Sequence, residues 1–298
     1  MIKLIIELLD FLRTCAPLLT SLAILTLFCV VLSKSIRRYS TIYYIIFAIP
    51  FMLVALPSLA RLLGIEMPGL AGIPFLGEVV RDYIHMGTFG HPLLIIIMYI
   101  GALNPKIAGV KKLAGIRKEL SIICGFPVLA HSLIRVVNNL MPSFQFFSDK
   151  EGYMANTRVA SEWGAGISSF SFILGIIMLV IFIPLWVTSF DWVRKQMQYK
   201  AWKKVQKWAY VLYVTLFIHA MGIQIGGMLN PREGHARQPA VETVAQTSGG
   251  RVPTFGFANI SVAPRTKQYI HLTSLLLIYG SYLCLRIRKA KRSTKKVC

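Results

Sequence analysis

Residues 208–229 read WAYVLYVTLFIHAMGIQIGGML, 22 positions without an Asp, Glu, Lys or Arg, directly after the basic run AWKKVQK at 201–207. A helix needs about 20 mainly apolar residues to cross a hydrocarbon core, so this stretch is long enough to span a bilayer. It also carries His219 deep within the apolar run. A polar side chain at that depth is costly unless it faces the bundle interior and meets a partner.

The pattern repeats outward in both directions. Spans are expected at 15–34, 41–63, 83–103, 119–141, 164–189, 204–228 and 268–287, which makes the fold class an all-α integral membrane protein of about seven transmembrane helices. Composition agrees: 55% of residues are hydrophobic, 15% are charged, and mean hydropathy is +0.60. A soluble domain of 298 residues would need a more polar surface. The opening MIKLIIELLDFLRT carries Glu7, Asp10 and Arg13 and reads as a surface amphipathic helix or an extension of the first span. It lacks the basic start and small-residue cleavage site of a signal peptide.

Charge sets the expected orientation, because cytoplasmic loops are enriched in Lys and Arg. The segments SKSIRRYS, NPKIAGVKKLAGIRKE, DWVRKQMQYKAWKKVQK and RIRKAKRSTKKVC hold 21 of the 33 basic residues, but only Glu119 and Asp191 of the 12 acidic ones. The N-terminus is therefore expected outside and the C-terminus in the cytoplasm of an inner or plasma membrane. The net charge of +21 reads as topology determination and attraction to anionic lipid, and no nucleic-acid partner is expected.

The five cysteines, at 15, 29, 124, 284 and 298, form neither a CxxC nor a CxxCH motif. The six histidines are more informative. His131 stands about 12 residues into the fourth span and His219 about 15 into the sixth, both counted from the cytoplasmic side. At 1.5 Å per residue both imidazoles lie roughly 18 to 22 Å from that boundary. Two histidines at one level on separate helices suit a shared ligand, and bis-histidine ligation of haem iron fits that geometry. Hydrogen bonding of each to a neighbouring helix is the alternative.

His85 and His91 fall near the outer mouth of the third span, six residues apart, and point in different directions. His85 is a candidate contact for a haem propionate, a quinone or an external substrate. His91 precedes Pro92 and is a candidate local cap or third residue at the haem level. His235 reads as a solvent-facing loop residue and His271 as interfacial packing. Arg135, one turn after His131, either meets a haem propionate or snorkels to the headgroups. Trp202, Trp208, Tyr210 and Tyr213 read as an interfacial belt, and Gly175 and the Gly226–Gly227 pair as helix-packing positions. NISV at 259 matches a glycosylation acceptor by pattern.

Three landmarks carry a family resemblance: VVRDYIHMGTFGHPLLIIIMYIGALNPK at 79–106, IRKELSIICGFPVLAHSLIRV at 116–136, and VTSFDWVRKQMQYKAWKKVQKWAYVLYVTLFIHAMG at 187–222. In order, spacing and topology this stretch resembles the ferric-reductase-like transmembrane domain, closest to the MsrQ (YedZ) type of haem-binding membrane subunit. The resemblance implies a six-helix haem bundle plus an extra span. It also implies axial ligation of haem b by His131 and His219, and a histidine 13 residues before the latter for a second, inner haem. Gln206 occupies that position, facing Arg117 and Lys118, so one haem is expected, and any inner cofactor is expected to be an unconventionally ligated haem, FMN or a quinone.

Four regions follow: 1–78, two spans and an outer loop; 79–228, the haem-binding core; 229–267, an extracytoplasmic loop; and 268–298, the last span and a basic tail. No Gly-rich dinucleotide fingerprint or P-loop occurs, so no flavin–NADPH domain is expected in this chain. Electrons are expected from a separate reductase, a bound flavin or the quinone pool. The acceptor is expected to be an extracytoplasmic redox protein, such as a methionine-sulfoxide reductase, or a ferric substrate. Two other classes stay open: a quinol-oxidising cytochrome b subunit, and a transporter or assembly factor without haem.

Overall fold

The computed structural model describes residues 11–12, 15–67, 87–157, 159–230 and 263–294. Twelve helices form the described chain: α1 Pro17–Val31, α2 Ser33–Arg38, α3 Ser40–Leu62, α4 Gly90–Ala102, α5 Ala108–Ala114, α6 Arg117–Ser148, α7 Lys150–Asn156, α8 Glu162–Val187, α9 Asp191–Gln196, α10 Tyr199–Lys207, α11 Ala209–Leu229 and α12 Pro264–Thr294. In hydrocarbon no water is available for main-chain amides, so each apolar segment satisfies its hydrogen bonds internally as a helix.

Five helices among the described residues are long and apolar enough to cross a membrane: α3, α6, α8, α10 continued into α11, and α12. The apolar helices α1 and α4 are shorter, at 15 and 13 residues. Each of the seven expected span positions holds a helix, with residues 83–86 of the third lying outside the described residues. α12 continues seven residues beyond 287 to Thr294, and α6 continues seven beyond 141 to Ser148. α6 passes through Pro127 and Pro142, since freed carbonyls in a bundle find other partners.

Ile42, Ile45, Ile46 and Ile49 of α3 are exposed, as are Ile177 and Val180 of α8 and Leu276 and Leu277 of α12. Such continuous apolar surface suits contact with lipid. Inside, α6 packs on α4 and α8, α8 packs on α11, α11 on α12, and α12 closes back on α4. These five helices form a ring, with α1 outside α4 and α3 outside α6. The helices that carry His131 and His219, α6 and α11, are not neighbours in the ring but face one another across it.

The connector region is pinned by polar contacts rather than by apolar burial. Ser161 caps α8 by accepting from the Gly164 N–H at 3.2 Å. Where α8 ends, Thr188 gathers the next turn: its carbonyl accepts from Trp202 Nε1 at 3.1 Å and its hydroxyl from Gln206 Nε2 at 3.0 Å. Lys118 at the start of α6 meets Asp191 at 2.9 Å. Tyr213, read as part of an interfacial belt, is instead 7% exposed and packs edge-on to Tyr282 at 6.1 Å. It lies one turn deeper than Tyr210, which is exposed.

Candidate functional site

His219 sits in the middle of α11, and its Nδ1 donates to the main-chain carbonyl of Ser171 on α8 at 2.7 Å. A carbonyl can only accept, so the hydrogen is on Nδ1 and a neutral ring keeps its lone pair on Nε2. Ligating histidines are typically oriented by a bond of this kind from their second nitrogen. Gly175, one turn further along α8, gives the ring its room: a Cβ there would stand 3.2 Å from His219 Cε1.

His131 lies on α6 across the ring, against the start of α4. Gly87, with φ of +69°, packs beneath it; a Cβ at that position would stand 3.3 Å from Cε1, 3.5 Å from Nδ1 and 3.6 Å from Nε2 of His131. Glycine is needed here twice over, for the left-handed backbone and for the imidazole face. Arg135 follows one turn after His131 on α6.

His91 opens α4 and turns inward rather than capping the helix. Its Nε2 is 2.9 Å from the hydroxyl of Tyr279 on α12, and that tyrosine also stacks at 5.1 Å on Phe217. His271 stands on α12, eight positions before Tyr279. His85 and His235 lie outside the described residues.

Among the described residues no three His, Cys, Asp or Glu side chains come together to hold a metal ion. Imidazole nitrogens on two separate helices are instead a donor type that suits a haem iron. The donor chemistry, the fixed tautomer of His219 and the two glycine-backed rings fit a haem.

Below this level the interior is apolar and closed. Cys124, Phe182, Leu212, Tyr213 and Leu216 belong to one buried cluster. At the basic end of the ring a cavity of about 520 Å³ opens, lined by Arg117, Gln206, Tyr210, Tyr213, Tyr282 and Arg286 among others. Gln206, at the position implied for an inner ligand, is committed to Thr188.

Sequence reasoning selects His131, His219, Arg135 and His91 but misses Ser171, Gly87 and Tyr279, and reads Gly175 as packing alone. Ser171 acts through its carbonyl, which carries no side-chain signal. Gly87 lies within the first family-like landmark, at 79–106, and its proximity to a histidine 44 positions away is a tertiary fact.

Residues 84–217 match the model of the family described as ferric reductase like transmembrane component. No curated protein and no solved structure matches the chain.

Proposed function

Taking residues 84–217 as a ferric-reductase-like transmembrane component, we propose that this multi-pass membrane protein transfers electrons through one b-type haem held between His131 of α6 and His219 of α11. The carrying observation is the 2.7 Å bond from His219 Nδ1 to Ser171, which reserves Nε2 for a metal. A haem bound there supplies a one-electron centre. The chain's own residues do the rest. α8 holds the His219 ring in one orientation through Ser171 and Gly175, Gly87 seats the His131 ring, and Arg135 lies one turn after His131, where a guanidinium can meet a propionate carboxylate.

Gln206 supports a single haem, since its amide is a poor axial ligand and is already bound to Thr188. The basic connectors support a cytoplasmic C-terminus and an outer N-terminus, with the histidine level in the outer half. A separate reductase or a quinone is the proposed donor, and an extracytoplasmic redox protein or a ferric substrate the acceptor. The test is haem stoichiometry, measured as the pyridine haemochrome of the purified chain. About one haem per chain supports the proposal; none, or two, overturns it.

A further inference from the structure

Two asparagines stand side by side near the Ser148 end of α6, and the fold treats them differently. Asn138 is exposed, and its Oδ1 accepts from Arg61 of α3 at 3.1 Å. The Oδ1 of Asn139 is buried and has no hydrogen-bond partner among the described residues. Polar side chains within membrane helices bond across to a neighbouring helix, and a buried acceptor without a bond carries the whole cost of its lost hydration. An orphan of this kind calls for a partner that the described helices do not supply.

The helical rotation of α6 sets where this amide lies. His131 faces Gly87, ahead of α4. Gly125 lies against Trp186 of α8, and further along α6 a Cβ on Gly166 of α8 would stand 3.1 Å from Phe146 Cε1. Asn139 falls between Gly125 and Phe146 in height and within about 40° of both in rotation, so it lies on the α8 face of the helix. His131, Arg135 and Asn139 follow at steps of four residues, each turning about 40° and rising about 6 Å. The three positions sweep from the start of α4 toward α8, the helix whose Ser171 and Gly175 hold His219.

A haem carries two carboxylates on one edge of its macrocycle. Toward the Arg117 end of α6 the ring interior is an apolar cluster that includes Cys124, Phe182 and Leu212, where an ionised carboxylate is costly. Toward the Ser148 end come Arg135, Asn139 with its orphaned oxygen, and buried Ser143. We propose that the Asn139 carboxamide bonds a haem propionate, a contact that rests on the haem proposed above between His131 and His219. The amide suits either form of that group: Nδ2 donates to a carboxylate, Oδ1 accepts from a carboxylic acid, and rotation of the amide exchanges the two. Asn139 thereby acts at the edge of the cofactor rather than at its iron.

The experiment pairs a change in the residue with a change in the haem. Full-length wild type and Asn139→Leu, produced in haem-depleted cells, are titrated in detergent with haem b and with its propionate dimethyl ester. Leucine keeps the volume and removes the amide, so the haem-free variant should melt no lower than the wild type. With haem b the variant should bind about tenfold more weakly, the scale of one hydrogen bond to a charged group. With the dimethyl ester the two proteins should bind alike, because the interaction needs both partners. Should the leucine variant not fold, Asn139→Ala carries the same comparison. Equal binding of haem b by the two proteins, or the same ratio with both haems, overturns the contact and leaves the His131–His219 haem standing. A wild type that takes up neither haem overturns that haem and the contact with it.

Discussion

The imidazole of His219 and the main-chain carbonyl of Ser171 are joined at 2.7 Å across the α8–α11 interface. The bond fixes which nitrogen carries the hydrogen, and Gly175 fixes how closely the ring can lie on α8. Enlarging Gly175 therefore acts on ring position without removing a ligand. Gly175→Ala puts a Cβ 3.2 Å from Cε1, so the ring must yield by a few tenths of an ångström; Gly175→Val forces a larger move. Disturbing the support of a ligating histidine typically costs about 10–100-fold in affinity. Haem retention on dilution should fall modestly in the alanine variant and by about tenfold or more in the valine variant, while fold and oligomer profile on size-exclusion chromatography stay unchanged.

Gly87 combines strain and contact. A side chain at φ of +69° costs about 1–3 kcal/mol, and in Gly87→Ala the new methyl also meets His131. Gly64 has a similar φ of +74°, but nothing lies within 4 Å of the place its Cβ would take. Gly64→Ala thus serves as the strain-only control. Both variants should lower the melting temperature, but only Gly87→Ala should also reduce haem content. Equal haem content in the two would sever Gly87 from the site.

Tyr279→Phe removes the hydroxyl that His91 meets at 2.9 Å and keeps the ring that packs on Phe217 at 5.1 Å. Hydrogen bonds between membrane helices contribute about 0.6 kcal/mol on average, so the expected loss in thermal stability is small. Haem content and the position of the reduced absorption bands should not change. A large spectral change would place His91 among the ligands rather than beside them.

Asp191 is the useful titration. The hydrogen bond from Lys118 holds its carboxyl below the usual 3.8. A carboxyl whose folded value is lowered contributes stability above the unfolded value, and that contribution is lost as pH falls through the folded one. The pair is solvent-exposed, so its worth is below about 1 kcal/mol after screening. Wild-type protein should melt slightly above Asp191→Asn at neutral pH, and the gap should close below the carboxylate range or in high salt.

The spans are legible because hydrophobic length is a one-dimensional property: residues 208–229 announce a crossing by composition alone. Position along a helix is legible for the same reason, since rise per residue converts sequence into height. What faces a histidine is not. Ser171 contributes only main chain, Gly87 lies 44 positions from the ring it supports, and Tyr279 meets His91 from the far end of the chain. Tyr213 shows the limit of depth as a guide. One turn separates it from exposed Tyr210, yet it faces Tyr282 inside the ring, and which face of α11 turns inward depends on α12.

The functional assignment stands on the ligand pair. The most direct measurement is the dithionite-reduced minus oxidised absorption spectrum of the purified protein, with His131→Ala and His219→Ala beside the wild type. The wild type should give a b-type spectrum, and each alanine variant should lose it while still purifying as a folded membrane protein. A colourless wild type from haem-replete cells, or an unchanged spectrum in either variant, would contradict the assignment.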